Sequence, residues 1–281
     1  MREIKQIQNF RDLIYKYDAF FIDLWGVVHN GVNLFKNTID VIEKIKQEKK
    51  KIFFLTNAPR RASVISNQLE EFGLSANLYD HIISSGELTW LSLKGKEFSN
   101  KKCFQIGPKR DFHLIEGLNV QVVKEPSSAD IIINTGPWGD DDCLENYTNI
   151  LNKLNESNAK MICSNPDKTV IRGEKFMICA GLLAEYYENI GGKVQYFGKP
   201  HNQIYEFCYK IIKKNANILV IGDSLENDIK GANKQNLDSL LITDGIHREV
   251  NNNNNVDKEK LDGLMKKKNA FPNYYMKRLT Y

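Results

Sequence analysis

The sequence has few cysteines, and their spacing excludes the common cysteine-based sites. Its 281 residues include 5 cysteines at scattered positions, Cys103, Cys143, Cys163, Cys179 and Cys208, and no two of them form a C-x-x-C pair. An odd number without paired spacing argues against both a disulfide framework and a zinc site. This pattern fits a protein of a reducing compartment.

Long apolar runs and a strong net charge are also missing. No apolar stretch approaches the roughly 20 residues that a membrane-spanning helix needs, and residues 1–6 are too polar for a signal peptide. The formal net charge is only +4, and the lysine runs at 49–51 and 266–268 are typical of solvated helix faces or ends. We therefore expect a cytoplasmic protein with neither a membrane nor a nucleic acid as its partner.

Strand and helix patterns alternate in the first part of the chain. Apolar runs predict strands at 19–22 and 51–56, and apolar residues on one helix face predict helices over 39–47 and 64–72. Strand–helix–strand order implies right-handed crossovers and a parallel sheet. The sequence therefore predicts an α/β fold.

A second cluster of strand patterns interrupts the first. Its predicted elements are strands at 102–107, 120–123, 130–134 and 160–163 and helices over 144–154 and 177–189. The chain then returns to the first pattern, with strands at 194–197, 217–221 and 238–242 and a helix over 203–213. We interpret this order as one sheet domain, 1–84 with 194–281, interrupted by an inserted α/β domain at 85–193. The asparagine run at 251–255 is predicted to be a flexible loop.

Four polar segments each follow a predicted strand, and together they carry the candidate chemistry. Their candidate residues are Asp23, Thr56, Asn57, Lys199, Asp223 and Asp228. Active residues of open parallel sheets collect at the carboxyl ends of strands, so we expect these side chains to lie close together. Carboxylates bind Mg²⁺, a hydroxyl with N–H groups at a helix start binds anions, and a lysine offsets phosphoryl charge.

Each segment also has a structural interpretation when it is taken alone. Asp23 would then cap a turn, and Thr56 with Asn57 would cap a helix. Lys199, between a glycine and a proline, would be a solvated residue of a turn. The occurrence of all four segments in order, each at a strand end, favours the functional interpretation.

The same segments resemble the sequence motifs of the haloacid dehalogenase (HAD) superfamily, in particular class IIA with its NagD-like and pyridoxal-phosphate phosphatase-like enzymes. Residues 23–28, Asp-Leu-Trp-Gly-Val-Val, are similar to the nucleophile motif. Residues 55–57, 198–200 and 222–228 are similar to the second, third and fourth motifs. Residues 163–167 resemble the Asn-Pro-Asp segment at which the inserted cap of this class runs back to the core.

This resemblance implies a fold, a reaction and a cofactor. The fold is a Rossmann-like core with a parallel sheet, interrupted by a C2-type α/β cap. The implied protein is a Mg²⁺-dependent phosphatase of a small phosphorylated metabolite, in which Asp23 attacks phosphorus and forms an aspartyl-phosphate that water hydrolyses. The implied Mg²⁺ ligands are Asp23, Asp223 and the backbone carbonyl of Trp25. Asp228 is implied to lie next to these ligands without binding the ion directly.

The resemblance also implies the phosphate contacts and an assembly. Thr56, Asn57 and Lys199 surround the phosphate, and Lys199 takes part in catalysis by offsetting the charge of the transferring group. A homodimer through the cap is one arrangement that the resemblance allows.

The sequence departs from the nucleophile motif at Trp25. In the phosphatases of the superfamily this position is normally an aspartate that protonates the leaving group, a contribution of roughly 10²–10⁴ in rate. An indole N–H is a donor only and cannot exchange protons in this way. The ending at 271–275 is similar to a branch of class IIA that also carries Asp-Leu-Trp-Gly.

Three interpretations of Trp25 stay open. The enzyme acts on substrates with good leaving groups, or another residue supplies the proton, with Glu226, His29 and His201 as candidates. In the third interpretation the protein is catalytically impaired and binds a phosphorylated ligand as a binding or regulatory protein. A plain nucleotide-binding unit is disfavoured, because no G-x-G-x-x-G follows any predicted strand.

Overall fold

The chain forms two compact units. The computed structural model describes residues 4–172, 175–252 and 255–281. Within these residues, the first unit comprises the chain up to Thr56 together with Ile65–Ile83 and Tyr205–Tyr281, and the second comprises Asn57–Val64 and Ser84–Ile204. The second unit thus contains the insertion predicted at 85–193 and, in addition, Asn57–Val64, Ser84 and the residues from 194 to 204.

Strands and helices alternate along most of the described chain. Its strands are β1 (Lys5–Gln6), β2 (Ala19–Ile22), β3 (Lys51–Thr56), β4 (His81–Ser84), β5 (Lys101–Ile106), β6 (Val120–Val122), β7 (Ile131–Asn134), β8 (Lys160–Cys163), β9 (Thr169–Arg172), β10 (Lys175–Ile178), β11 (Val194–Tyr196), β12 (Ile218–Gly222), β13 (Asp238–Ile242), β14 (Asn251–Asn252), β15 (Asn255–Val256) and β16 (Tyr274–Met276). Its α-helices are α1 (Arg11–Ile14), α2 (Thr38–Gln47), α3 (Ala62–Glu71), α4 (Ser85–Leu93), α5 (Glu145–Glu156), α6 (Ala180–Asn189), α7 (Asn202–Tyr209), α8 (Lys230–Lys234) and α9 (Lys258–Lys268).

In the described residues, the first unit is built on a seven-stranded sheet. The strand order is β1-β16-β13-β12-β2-β3-β4, and β2 pairs in parallel with both β12 and β3. Both β2 and β12 are buried along their whole length, which explains why their sequences are unbroken apolar runs. The α/β fold with a parallel sheet that the sequence predicts is therefore confirmed.

The register of this sheet brings two distant parts of the sequence to one edge. Ile22, the last residue of β2, is aligned with Ile221 of β12 and with Phe54 of β3. Because all three strands run in the same direction, Asp23 emerges beside the end of β12.

A cluster of buried apolar side chains fixes the segment that follows β12. Leu225 and Ile229 of this segment share the cluster with Leu241 of β13 and with Leu261 and Met265 of α9. Burying a leucine or isoleucine side chain contributes about 1.5–3 kcal/mol. The segment after β12 is therefore held in place by packing as well as by hydrogen bonds.

The second unit has its own parallel sheet, in the order β11-β8-β7-β5-β6. Two helices pack on it, since Tyr147 of α5 and Leu183 of α6 share a buried cluster with Ile132 of β7 and Met161 of β8. β9 and β10 form an antiparallel pair that is separate from this sheet.

The structure differs from the sequence-based expectation in the strand at 194–197. We expected this strand to belong to the first sheet, but β11 pairs in parallel with β8 at the edge of the second sheet. An apolar strand pattern identifies a strand and not its partner, so the sequence could not assign it.

Other differences concern the ends of elements. The helix expected over 177–189 begins at Ala180, because Lys175–Ile178 is a strand, and the helix expected over 203–213 spans Asn202–Tyr209. The described part of the asparagine run, which we predicted to be flexible, is the antiparallel pair of β14 and β15, and residues 253 and 254 lie outside the described residues. No α-helix in the described parts of the chain has the length and apolarity required to cross a membrane.

Candidate active site

Three carboxylates meet at the carboxyl ends of β2 and β12. Asp23, Asp223 and Asp228 each offer an oxygen, and these oxygens lie within 4.8 Å of one another. Their exposed fractions are only 7%, 8% and 2%. Carboxylates that are buried together repel one another unless a cation or a proton compensates their charge. The set of hard oxygen donors suits a divalent cation such as Mg²⁺.

Asp223 is positioned by two glycines and one backbone donor. A Cβ atom on either Gly26 or Gly245 would overlap the Asp223 carboxylate. The Ile246 N–H donates a hydrogen bond to Asp223 Oδ2 at 2.8 Å. Gly26 also has a φ of +84°, a conformation that residues with a side chain rarely adopt. Two structural constraints therefore favour glycine at position 26, namely the positive φ and the lack of room for a Cβ atom beside Asp223.

Asp228 is carried by a π-helical turn, Leu225–Ile229. Its Oδ2 accepts a hydrogen bond from the Ser224 N–H at 3.1 Å, and Ser224 Oγ accepts one from the Asn227 N–H at 3.2 Å. Both hydrogen bonds join residues within Ser224–Asp228, so they fix the conformation of this segment locally. The Gly-Asp-x-x-x-x-Asp spacing thus turns both carboxylates to the same place.

Trp25 packs into the loop that follows the nucleophile motif. Its ring meets the His29 ring edge-on, with 5.3 Å between the centroids, and a Cβ atom on Gly31 would overlap the indole. The imidazole of His29 also packs against the Phe72 ring, with 5.4 Å between the ring centroids. Its Nδ1 accepts a hydrogen bond from the Gly31 N–H at 3.0 Å. His29, a candidate proton donor in the sequence, is thus a buried packing residue of this loop.

The other two candidate proton donors also have structural partners. Glu226 forms an ion pair with Lys268, with 2.8 Å between Oε2 and Nζ, and its side chain is 47% exposed. His201 belongs to the second unit, where its ring stacks on Tyr196 with 5.0 Å between the centroids.

The predicted phosphate-binding residues are divided between the two units. Thr56 is the last residue of β3 and is buried in the first unit. Asn57 and Lys199 belong to the second unit, and their exposed fractions are 3% and 2%. Asn57 Oδ1 accepts from the Lys199 N–H at 2.7 Å, and its Nδ2 donates to the Lys199 carbonyl at 3.0 Å and to Asp167 Oδ1 at 2.8 Å. The phosphate-binding role of these residues stays a prediction.

Sequence reasoning missed His247, which contacts the segment between Asp223 and Asp228. His247 is 7% exposed, and its Nε2 accepts a hydrogen bond from the Leu225 N–H at 3.1 Å. Burial lowers the pKa of His247, although Glu249 and Glu226 act in the opposite direction. The one available signal was its position in the loop after the predicted strand at 238–242.

Two family models match the chain, and together they include the three carboxylates. The model described as haloacid dehalogenase-like hydrolase matches residues 20–121, and the one described as HAD-hydrolase-like matches residues 196–264. The first range includes Asp23, and the second includes Lys199, Asp223 and Asp228.

Three similar proteins align with most of the chain. A solved structure of a haloacid dehalogenase-like family hydrolase from Brucella suis 1330 is 32% identical, has a TM-score of 0.84 and covers 98% of this chain and 100% of its own. The 4-nitrophenylphosphatase of Schizosaccharomyces pombe is 23% identical over 88% of this chain and 91% of its own length. The sugar-phosphatase AraL of Bacillus subtilis is 24% identical over 82% of this chain and 85% of its own length.

Proposed function

Because the chain belongs to the haloacid dehalogenase-like hydrolases, we propose that it is a Mg²⁺-dependent phosphatase of a small phosphorylated metabolite. The observation that carries the proposal is the meeting of Asp23, Asp223 and Asp228 at one edge of the parallel sheet. The similarity to a 4-nitrophenylphosphatase and to a sugar phosphatase supports the phosphate-ester substrate. Membership of class IIA, a cytoplasmic location and a homodimer stay predictions.

The proposed cation ligands are Asp23, Asp223 and the backbone carbonyl of Trp25, with Asp228 in support. Three buried carboxylates with oxygens within 4.8 Å of one another fit a small hard cation, because Mg²⁺ prefers oxygen ligands. When bound, the cation supplies positive charge against the phosphate oxygens. A carbonyl ligand is independent of the side chain, so the tryptophan at this position is compatible with the cation site.

In the proposed reaction the Asp23 carboxylate attacks phosphorus. A bond forms between an Asp23 oxygen and phosphorus while the ester P–O bond breaks, and the leaving group departs with the electron pair. Water then attacks the aspartyl-phosphate and releases phosphate, which restores Asp23. We also propose that the phosphate contacts Thr56, Asn57 and Lys199. The support for this part is that their segments resemble the second and third motifs of the family and follow Asp23 in that order.

The side chain of Trp25 favours a second candidate function. Its indole cannot exchange a proton with the leaving group as a carboxyl group does, and it packs against His29 and Gly31. A departing alkoxide needs a proton, whereas an acyl phosphate or an aryl phosphate has a leaving group that departs without one. The alternative to a phosphatase is therefore a protein that binds a phosphorylated ligand and turns it over poorly.

One set of assays separates the two functions. We expect the wild type to hydrolyse p-nitrophenyl phosphate and acetyl phosphate with Mg²⁺, and Asp23→Asn to lose this activity. Trp25→Asp is the matched variant that restores the missing carboxylate. If the wild type turns over neither substrate while Trp25→Asp gains activity, the result favours the ligand-binding function. Full activity in Asp23→Asn would show that the assigned nucleophile is wrong.

A further inference from the structure

Three residues after β13 contact the segment that carries Asp223 and Asp228. These residues are Gly245, Ile246 and His247. The Ile246 N–H donates to Asp223 Oδ2 at 2.8 Å, and His247 Nε2 accepts from the Leu225 N–H at 3.1 Å. Adjacent residues of one loop thus bond a candidate cation ligand and the start of the turn that follows it.

The hydrogen bond from Leu225 stands at the beginning of a helical turn. The first N–H groups of a helical turn have no acceptor within that turn. In the turn Leu225–Ile229, the Asn227 N–H is bonded by Ser224 Oγ, and the Leu225 N–H is bonded by His247. Because both Leu225 and His247 are buried, the imidazole supplies an acceptor where water cannot readily replace it.

We propose that His247 is a positioning residue of the cation site, which holds the Leu225–Ile229 turn so that Asp223 and Asp228 converge. The inference rests on the proposed cation site and is independent of the substrate. Groups that orient metal ligands without touching the metal change metal affinity about 10–100-fold when they are removed. His247 acts through a backbone N–H, and Ile246 acts on Asp223 directly.

The test compares two substitutions of His247. His247→Leu removes the acceptor, and we expect the affinity of the protein for Mg²⁺ to fall about 10–100-fold. His247→Gln offers an amide oxygen at the distance of Nε2 and should rescue most of the affinity. The affinity is measured by titration calorimetry with Mg²⁺ alone on the full chain, without substrate.

Asp80→Ala is the control for loss of stability. Asp80 accepts a hydrogen bond from the Ile52 N–H near the amino end of β3. The three carboxylates lie at the other end of the strands, after the carboxyl ends of β2 and β12. This variant should lower the unfolding temperature and leave the Mg²⁺ affinity unchanged. If His247→Leu does not fold, His247→Asn replaces it, because the shorter amide does not reach Leu225.

The results separate failure of the inference on His247 from failure of the proposed function. Wild-type Mg²⁺ affinity in the folded His247→Leu or His247→Asn variant overturns the inference, and so does an equal loss of affinity in Asp80→Ala or no Mg²⁺ binding by the wild type. If Mg²⁺ binding depends on His247 as expected but no phosphate ester is hydrolysed, the inference stands and the proposed function fails.

Discussion

Around Asp223, two residues without side chains leave the space that its carboxylate fills. Gly26 belongs to the loop after β2 and Gly245 to the loop after β13, and a Cβ atom on either would overlap Asp223. The sheet order puts β12 between these two strands, so both loops approach its end. At the scale of single residues, the candidate site depends on what is absent from two positions as well as on the three carboxylates.

Gly26→Ala should impair the site through this overlap. The new methyl group displaces the Asp223 carboxylate, so we expect a large loss of both Mg²⁺ affinity and hydrolysis. Gly73→Ala is the matched control, since Gly73 also has a positive φ, +94°, but has no atom near the position of a Cβ. Both variants carry a backbone penalty of about 1–2 kcal/mol. Equal losses of Mg²⁺ affinity in the two variants would contradict the steric explanation.

At the scale of elements, Asp80 links β3 to the start of β4. It accepts hydrogen bonds from Lys51 Nζ at 2.7 Å, from the Ile52 N–H at 3.0 Å and from Lys46 Nζ at 3.1 Å. Burial alone would raise the pKa of Asp80, but these bonds outweigh it and lower the pKa below its usual value. The ionised form of Asp80 therefore stabilises this edge of the sheet.

The stability difference between the wild type and Asp80→Asn should depend on pH. Because the pKa of Asp80 is lower in the folded state than in the unfolded state, its contribution is complete above the unfolded value of about 3.9. The contribution disappears as the pH falls through the lower folded value. Urea unfolding midpoints should therefore differ by a constant amount from about pH 7 to pH 5 and converge in stronger acid. A difference that does not shrink as the pH falls below the unfolded value of about 3.9 would show that the ionised form is not what stabilises this part of the sheet.

The sequence predicted the central elements of the first unit because these elements are buried runs with local signals. β2, β3, β12 and β13 lie where their apolar patterns predicted them. β16 was not predicted, since three residues carry too little periodicity, and the partner of β11 depends on contacts that no local pattern encodes.

The candidate site was partly predictable for the same reason. The carboxylates directly follow recognisable strands, so sheet topology alone brings Asp23 and Asp223 together. His247 was not predictable, because its role arises from a hydrogen bond to a backbone group of a different loop. The contacts of Trp25 with His29 and Gly31 were equally invisible in the linear sequence.

At the scale of the whole molecule, cation binding should appear as thermal stability. A ligand that binds only the folded state at 100 times its Kd stabilises it by about 2.7 kcal/mol. We therefore expect Mg²⁺ to raise the unfolding temperature of the wild type, measured by calorimetry against EDTA.

Asp223→Asn is the informative variant for this experiment. Removing one of three buried carboxylates reduces their mutual repulsion, so in EDTA the variant should be at least as stable as the wild type. In Mg²⁺ it should show little or no increase. A variant that keeps the full Mg²⁺ response would exclude Asp223 as a cation ligand.

The pairing of β2 with β12 also has a consequence for biosynthesis. Asp23 leaves the ribosome long before Asp223, because Asp223 comes 200 positions later in the chain. The intervening chain includes the whole second unit, and β12 must still be added beside β2 before the carboxylates can meet. A nascent chain that does not yet include β12 and Asp223 therefore lacks the proposed cation site.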